Sequence, residues 1–137
     1  MENLMRAARP ENVHAILLVD GMYALQLRDE HLEVAPGMWG LFGGHIEIGE
    51  TTERALRREI QEELEIDIGA VAHFVDIAKW SFFVADVSNQ WSRHILHEGQ
   101  RADTFTPYAV ETIRTTTIVR CVLAMHRMAV LAATATE

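Results

Sequence analysis

The stretch GGHIEIGETTERALRREIQEELEID, residues 43–67, decides how the rest of the chain is read. It holds seven glutamates, crowded toward RREIQEELE, shortly after a double glycine. Thr51 can cap a helix, its hydroxyl accepting from an otherwise orphaned first-turn amide, and Glu53 then sits where the helix dipole favours negative charge. A helix is therefore predicted from about Thr52 to Glu65. At ~100° per residue, Leu56, Ile60 and Leu64 form one apolar stripe, while Glu59, Glu62 and Glu63 spread over roughly 100° of another face. The stripe is built for burial. The three carboxylates repel one another by about 0.2–0.5 kcal/mol per pair, so the cluster is unfavourable unless a cation joins it. Oxygen-only ligation suits Mg²⁺ or Mn²⁺, and Mg²⁺ is commonly shared between a few carboxylates and the phosphates of a substrate. A polyphosphate substrate follows from that reading; a solvated acidic face is the alternative that spacing alone leaves open.

The neighbouring residues decide between them. Gly44, five residues, Glu50, seven residues, Arg58-Glu59-Ile60, one residue, then Glu62-Glu63 resembles the signature of the Nudix hydrolases, G-x5-E-x7-R-E-U-x-E-E-x-G-U with U aliphatic. Ile66 fills the last aliphatic place, and Glu65 stands where the family has glycine. The resemblance extends outward: PGMWGLFGGHIEIGE is similar to the family's approach to its helix, ALQLRD to a preceding strand, and HEGQ with TFTP to a later segment.

This resemblance implies an α/β (α+β) Nudix fold, an α/β/α sandwich around a mixed sheet. It implies hydrolysis of a nucleoside diphosphate linked to another moiety, whether a nucleoside triphosphate, a nucleotide sugar or a dinucleotide, with release of a nucleoside monophosphate. It also implies metal ligation by Glu59, Glu62 and Glu63, with a carbonyl of Gly43 or Gly44 as a further ligand. Glu98 is an added candidate as ligand or general base, a role that Glu59 could also take. Arg58 and Glu50 are expected to form an ion pair fixing loop and helix. A Nudix-fold binding or sensor domain without turnover is the rival from another class.

Glycine at position 65 would normally end the helix in a left-handed conformation, which costs a side chain about 1 kcal/mol or more. Either Glu65 tolerates that strain or the helix exits differently.

Outside the box, HAILLV (14–19), the turn signal Asp20-Gly21 and MYALQLR (22–28) predict a β-hairpin. Alternation puts Gln26 and Arg28 on one face, where Arg28 could reach a phosphate. Trp39, with Trp80 or Phe82, could stack on a base. Further strands are predicted at 71–77, 80–87 and 93–97, a short helix after Pro107, and a final helix from Thr117 to about Ala133, with Val119, Val122, Leu123 and Val130 on one face. His126 reads as a packed or half-exposed histidine in place of a ligand, and His45 as an exposed loop residue.

The 137 residues, 49% of them hydrophobic, suit a single domain over residues 1–137. A formal charge of −8 argues against nucleic acid as a partner. Eleven of the twelve basic residues are Arg, which favours forked contacts to carboxylate or phosphate. Cys121 stands alone, so no internal disulfide forms, and a reducing cytoplasm suits the chain. The lead-in MENLMRAARPENVH lacks the apolar core of a signal peptide, and the apolar runs are shorter than a membrane span, so no membrane partner is expected. The apolar C-terminal segment, together with the pairing that the family resemblance implies, makes a homodimer the expectation.

Overall fold

The computed structural model describes residues 9–135, so residues 1–8 of the polar lead-in lie outside the described part. Seven strands form one mixed sheet: β1 (Asn12–Val19), β2 (Met22–Leu27), β3 (Trp39–Gly40), β4 (Phe42–His45), β5 (Ala72–Ile77), β6 (Trp80–Asp86) and β7 (Arg101–Phe105). Two α-helices accompany it, α1 (Thr52–Leu64) and α2 (Thr117–Ala135).

β1 organises the sheet. One edge runs parallel to β6, from Asn12↔Trp80 to Leu18↔Asp86. The other edge is shared: its first half pairs antiparallel with β4, from Asn12↔His45 to Ala15↔Phe42, and its second half with β2, from Leu17↔Ala24 to Val19↔Met22. The hairpin thus splays open, and β4 enters the gap carrying the double glycine. Asp20 (φ 49°) and Gly21 (φ 80°) both adopt left-handed values at the turn, as a tight right-twisted hairpin requires.

Alternation along β1 sorts its side chains between two cores. Val13, Ala15, Leu17 and Val19 pack with Leu56, Ile60 and Leu64 of α1. Ile16 joins Tyr23 and Leu25 against Val119, Val122 and Leu123 of α2. The result is the α/β/α sandwich expected from the sequence.

Two expectations need correction. Residues 93–97 form no strand: a 3-10 turn covers Trp91–Arg93, and the segment then runs along the end of α1, where Ile95 N–H donates to Leu64 O at 3.0 Å and His97 N–H to Glu63 O at 2.9 Å. Its extended-looking composition serves helix carbonyls instead of a sheet partner. Phe82 is 2% exposed, a core residue beneath α2 and closed to a stacking base. Helix α2, 19 residues with mean hydropathy 1.5, is long and apolar enough by length and composition alone to cross a membrane. Its buried residues Val119, Val122, Leu123 and His126 pack on the sheet, while Met128, Val130 and Leu131 remain exposed.

Candidate functional site

Thr51 caps α1 as its sequence predicts, its hydroxyl accepting from Arg54 N–H at 3.2 Å. Leu56, Ile60 and Leu64 are fully buried, which fixes the rotation of the helix and turns its glutamates toward the β4 loop. At the other end Glu65 adopts φ 53°, ψ 36°, and its N–H donates to Gln61 O at 3.0 Å. The helix therefore ends as glycine would end it, at a cost of about 1 kcal/mol for the side chain. His97 Nε2–H donates to the Glu65 carboxylate, giving that side chain a partner.

Arg58 fastens the loop to the helix. Its Nε and Nη2 donate to the two oxygens of Glu50, each at 2.9 Å, and Nη2 also donates to His45 O at 3.0 Å. This bidentate pair, helped by the Glu47 N–H, pulls the Glu50 pKa down to about 2, and it holds Arg58 still more firmly protonated. Arg58 Nη1 donates further to Glu59 at 3.0 Å.

Among the described residues Glu63 is the one buried acid. It is 2% exposed, and Gly43 N–H donates to its Oε1 at 2.9 Å. Burial first, then the charges of Glu98 and Glu59, push its pKa up to about 9. Among the described residues no Arg, Lys or His side chain bonds to it. Glu98 is raised too, first by desolvation and then by Glu59, with Arg28 acting in the opposite direction.

The double glycine has two separate reasons. A Cβ on Gly43, at φ +148°, would lie 2.1 Å from Val13 O, inside the β1–β4 pairing. At Gly44 a Cβ would meet the Glu59 carboxylate at 2.6 Å. Glycine thus lets strand and helix close together around Glu59 and Glu63.

Among the described residues no three His, Cys, Asp or Glu side chains are already gathered as a closed metal cage. Glu59 and Glu62 lean on Arg58 instead, at 3.0 and 3.4 Å. The donor set nevertheless fits a hard divalent cation. A buried carboxylate with acidic neighbours and no basic partner needs either a proton or a metal, and only hard oxygens are present.

The remaining sequence candidates fall around this cluster or away from it. Gln26 is 3% exposed, and its Nε2 donates to Glu98 O at 2.7 Å, so its amide holds the Glu98 loop. Arg28 donates to Val34 O at 3.1 Å, its Nε lacks a partner among the described residues, and its charge acts on Glu98. Trp39 packs edge-on against Phe105, with ring centroids 4.7 Å apart, and carries the Arg101 guanidinium 5.5 Å from its centroid. His126 is buried and bonded to Tyr23 Oη at 2.8 Å. A cavity of about 430 Å³ lies there, beside Tyr23, Tyr108, His126, Val130 and Leu131, and includes none of the helix glutamates.

Sequence reasoning passed over His14. It pairs with Gly43 in the sheet, its Nδ1 is buried without a partner among the described residues, and burial lowers its pKa to about 4. The signal available was one polar residue opening the apolar run HAILLV.

A mixed sheet whose double-glycine strand faces a glutamate-bearing helix is the arrangement of the Nudix fold. The chain belongs to the NUDIX domain family, whose model matches residues 8–116. A curated relative, the nucleoside triphosphatase NudI of Salmonella arizonae, is 46% identical over 63 residues, which is 46% of this chain and 42% of the relative. The match thus spans less than half the length of the curated relatives. Among solved structures, a MutT from work on Aliivibrio salmonicida and Vibrio cholerae aligns with TM-score 0.66 and 25% identity, over 85% of this chain and 98% of that one. The NUDIX domain of Shewanella oneidensis NrtR, solved with ADP ribose, aligns with TM-score 0.71 and 17% identity over 93% and 92% of the two chains, a likeness of fold.

Proposed function

We propose that this single domain hydrolyses a phosphoanhydride bond of a nucleoside diphosphate linked to another moiety, releasing a nucleoside monophosphate, with Mg²⁺ or Mn²⁺ as cofactor. The observation that carries this reading is Glu63, buried at 2% exposure with its pKa raised to about 9 beside Glu59, Glu62 and Glu98. Such a group is costly in isolation and becomes an asset once a divalent cation shares its site. Nucleoside triphosphates are the first substrate class to test, because the relatives matched over residues within this chain are described as nucleoside triphosphatases.

In this reading Glu59, Glu62 and Glu63, with a carbonyl of Gly43 or Gly44, hold the cation. When bound, the cation supplies neutralising charge to the diphosphate and acidifies nearby water. Arg58 and Glu50 keep the loop at a fixed distance from the helix. Glu59 or Glu98 accepts the proton of the attacking water, and as the new P–O bond forms the anhydride P–O bond breaks, expelling the phosphorylated remainder, which is pyrophosphate for a nucleoside triphosphate. Arg28, whose Nε is without a partner among the described residues, faces the developing phosphate charge, while Trp39 lines the nucleotide.

The lone Cys121 supports a cytoplasmic setting, and the exposed Met128, Val130 and Leu131 support a second copy of the chain as a partner. The test is a panel of nucleoside triphosphates, nucleotide sugars and dinucleoside polyphosphates with Mg²⁺ or Mn²⁺, reading monophosphate release, with Glu59→Gln alongside. Metal-dependent release lost in the variant is expected. Tight binding of one ligand with no release would support the sensor reading in its place.

A further inference from the structure

The residue at which this chain departs from the family signature is tied to the candidate base. Glu65 is left-handed at φ 53°, a conformation glycine adopts freely. A glycine there would have no side chain, whereas Glu65 accepts from His97 Nε2–H. His97 directly precedes Glu98 in the chain.

The tether is not the only fastening of this segment. A helix leaves its last carbonyls without partners, and here Ile95 N–H takes Leu64 O at 3.0 Å while His97 N–H takes Glu63 O at 2.9 Å. The segment before Glu98 is therefore the C-terminal cap of the same helix that carries Glu59, Glu62 and Glu63. From the other side Gln26 Nε2 donates to Glu98 O at 2.7 Å, and Gln100 N–H donates to Leu27 O at 2.8 Å. Gly99, at φ +85°, allows this close approach, since a Cβ there would stand 2.7 Å from Gln26 Cγ. Glu98 is thus suspended between the end of α1 and the end of β2.

We propose that Glu65 and His97 form a positioning latch that holds Glu98 against the glutamate face of α1, the side chain at position 65 substituting a tether for the conformational ease of glycine. This rests on the reading of that face as a metal-dependent hydrolytic site. Neither residue touches the reacting atoms in this account; both act through Glu98.

The test combines amide hydrogen exchange with a Mn²⁺ titration on the full chain, for wild type, Glu65→Gly, Glu65→Gln and His97→Ala. In Glu65→Gly and His97→Ala the backbone amides at positions 95 and 97 should exchange roughly two- to five-fold faster, the size a half-exposed pair supports. Mn²⁺ affinity should weaken by a similar factor. The melting temperature of Glu65→Gly should stay level or rise, because the strained backbone is relieved. Glu65→Gln keeps an acceptor for His97 and should match wild type in both readouts. Equal exchange in Glu65→Gly and wild type would overturn the latch, and faster exchange with unchanged Mn²⁺ affinity would overturn its positioning role. Wild-type protein that binds no Mn²⁺ while the exchange pattern holds would instead count against the metal site, separating the two failures.

Discussion

The Gly43 N–H donates to Glu63 Oε1 at 2.9 Å, joining the double-glycine strand to the most deeply buried acid of the helix. One backbone bond therefore aims the carboxylate whose burial raises its pKa, and strand and helix position it jointly. The consequences can be measured separately.

Metal-free protein should lose stability as pH rises. Glu63 titrates near 9 in the folded chain against 4.5 for an ordinary glutamate, so between those values the folded state binds the extra proton. Stability from this group is full below the unfolded pKa and is lost as pH climbs through that window. Urea midpoints across about pH 7 to 9, above the window in which His14 with its pKa lowered to about 4 acts in the opposite sense, should fall in wild type, and Glu63→Gln should flatten the slope. A matching slope in the variant would refute the assignment.

Glu50 behaves in the opposite sense. Its pKa is held at about 2 by Arg58 and the Glu47 N–H, below the usual 4.5, so its contribution is present above 4.5 and lost as pH falls toward 2. Glu50→Gln should remove part of the acid sensitivity of the fold. Arg58→Lys keeps the charge but loses the fork, and should lower turnover more than it lowers the melting temperature.

The two glycines should fail differently when changed to alanine. Gly43→Ala sets a Cβ 2.1 Å from backbone, so misfolding or a large loss of melting temperature is expected. At Gly44→Ala the nearest atoms are those of the Glu59 carboxylate, the far end of a side chain, at 2.6 Å. That variant should fold and yet bind Mn²⁺ poorly. Circular dichroism with a Mn²⁺ titration separates the two, and a folded, metal-competent Gly43→Ala would contradict the packing described.

Helix α1 offers two calibrations by urea unfolding. Thr51→Ala should cost about 1 kcal/mol through loss of the cap. Leu56→Ala should cost about 2–5 kcal/mol, since the side chain is fully buried between α1 and the sheet. A Leu56→Ala cost below that of the cap would mean the stripe is not the anchor of the helix.

The parts legible in sequence are those governed by local chemistry. Asp20-Gly21 has the left-handed values its turn demands, and the stripe of Leu56, Ile60 and Leu64 marks the buried face of α1. The hairpin and the strands from residues 71 and 80 follow from alternation and turn residues in the same way. What sequence missed depends on distant partners. Residues 95–97 have a strand-like composition, but their amides find the carbonyls of Glu63 and Leu64. Strand β7, RADTF, is polar enough to pass for loop and exists because β2 offers it an edge from Tyr23 to Leu27. Alternation reads Gln26 as a neighbour of Arg28 on one face, but it does not foresee that the Gln26 amide is used by the Glu98 carbonyl, a partner 72 positions away.

The central claim is that buried Glu63 belongs to a divalent-cation site, and calorimetric titration of Mn²⁺ near neutral pH, in two buffers of different ionisation enthalpy, tests it most directly. Saturable binding should release protons from wild type, because burial raises the Glu63 pKa to about 9. In Glu63→Gln both the affinity and the proton release should collapse. Equal affinity in that variant, or binding with no proton released, would contradict the account.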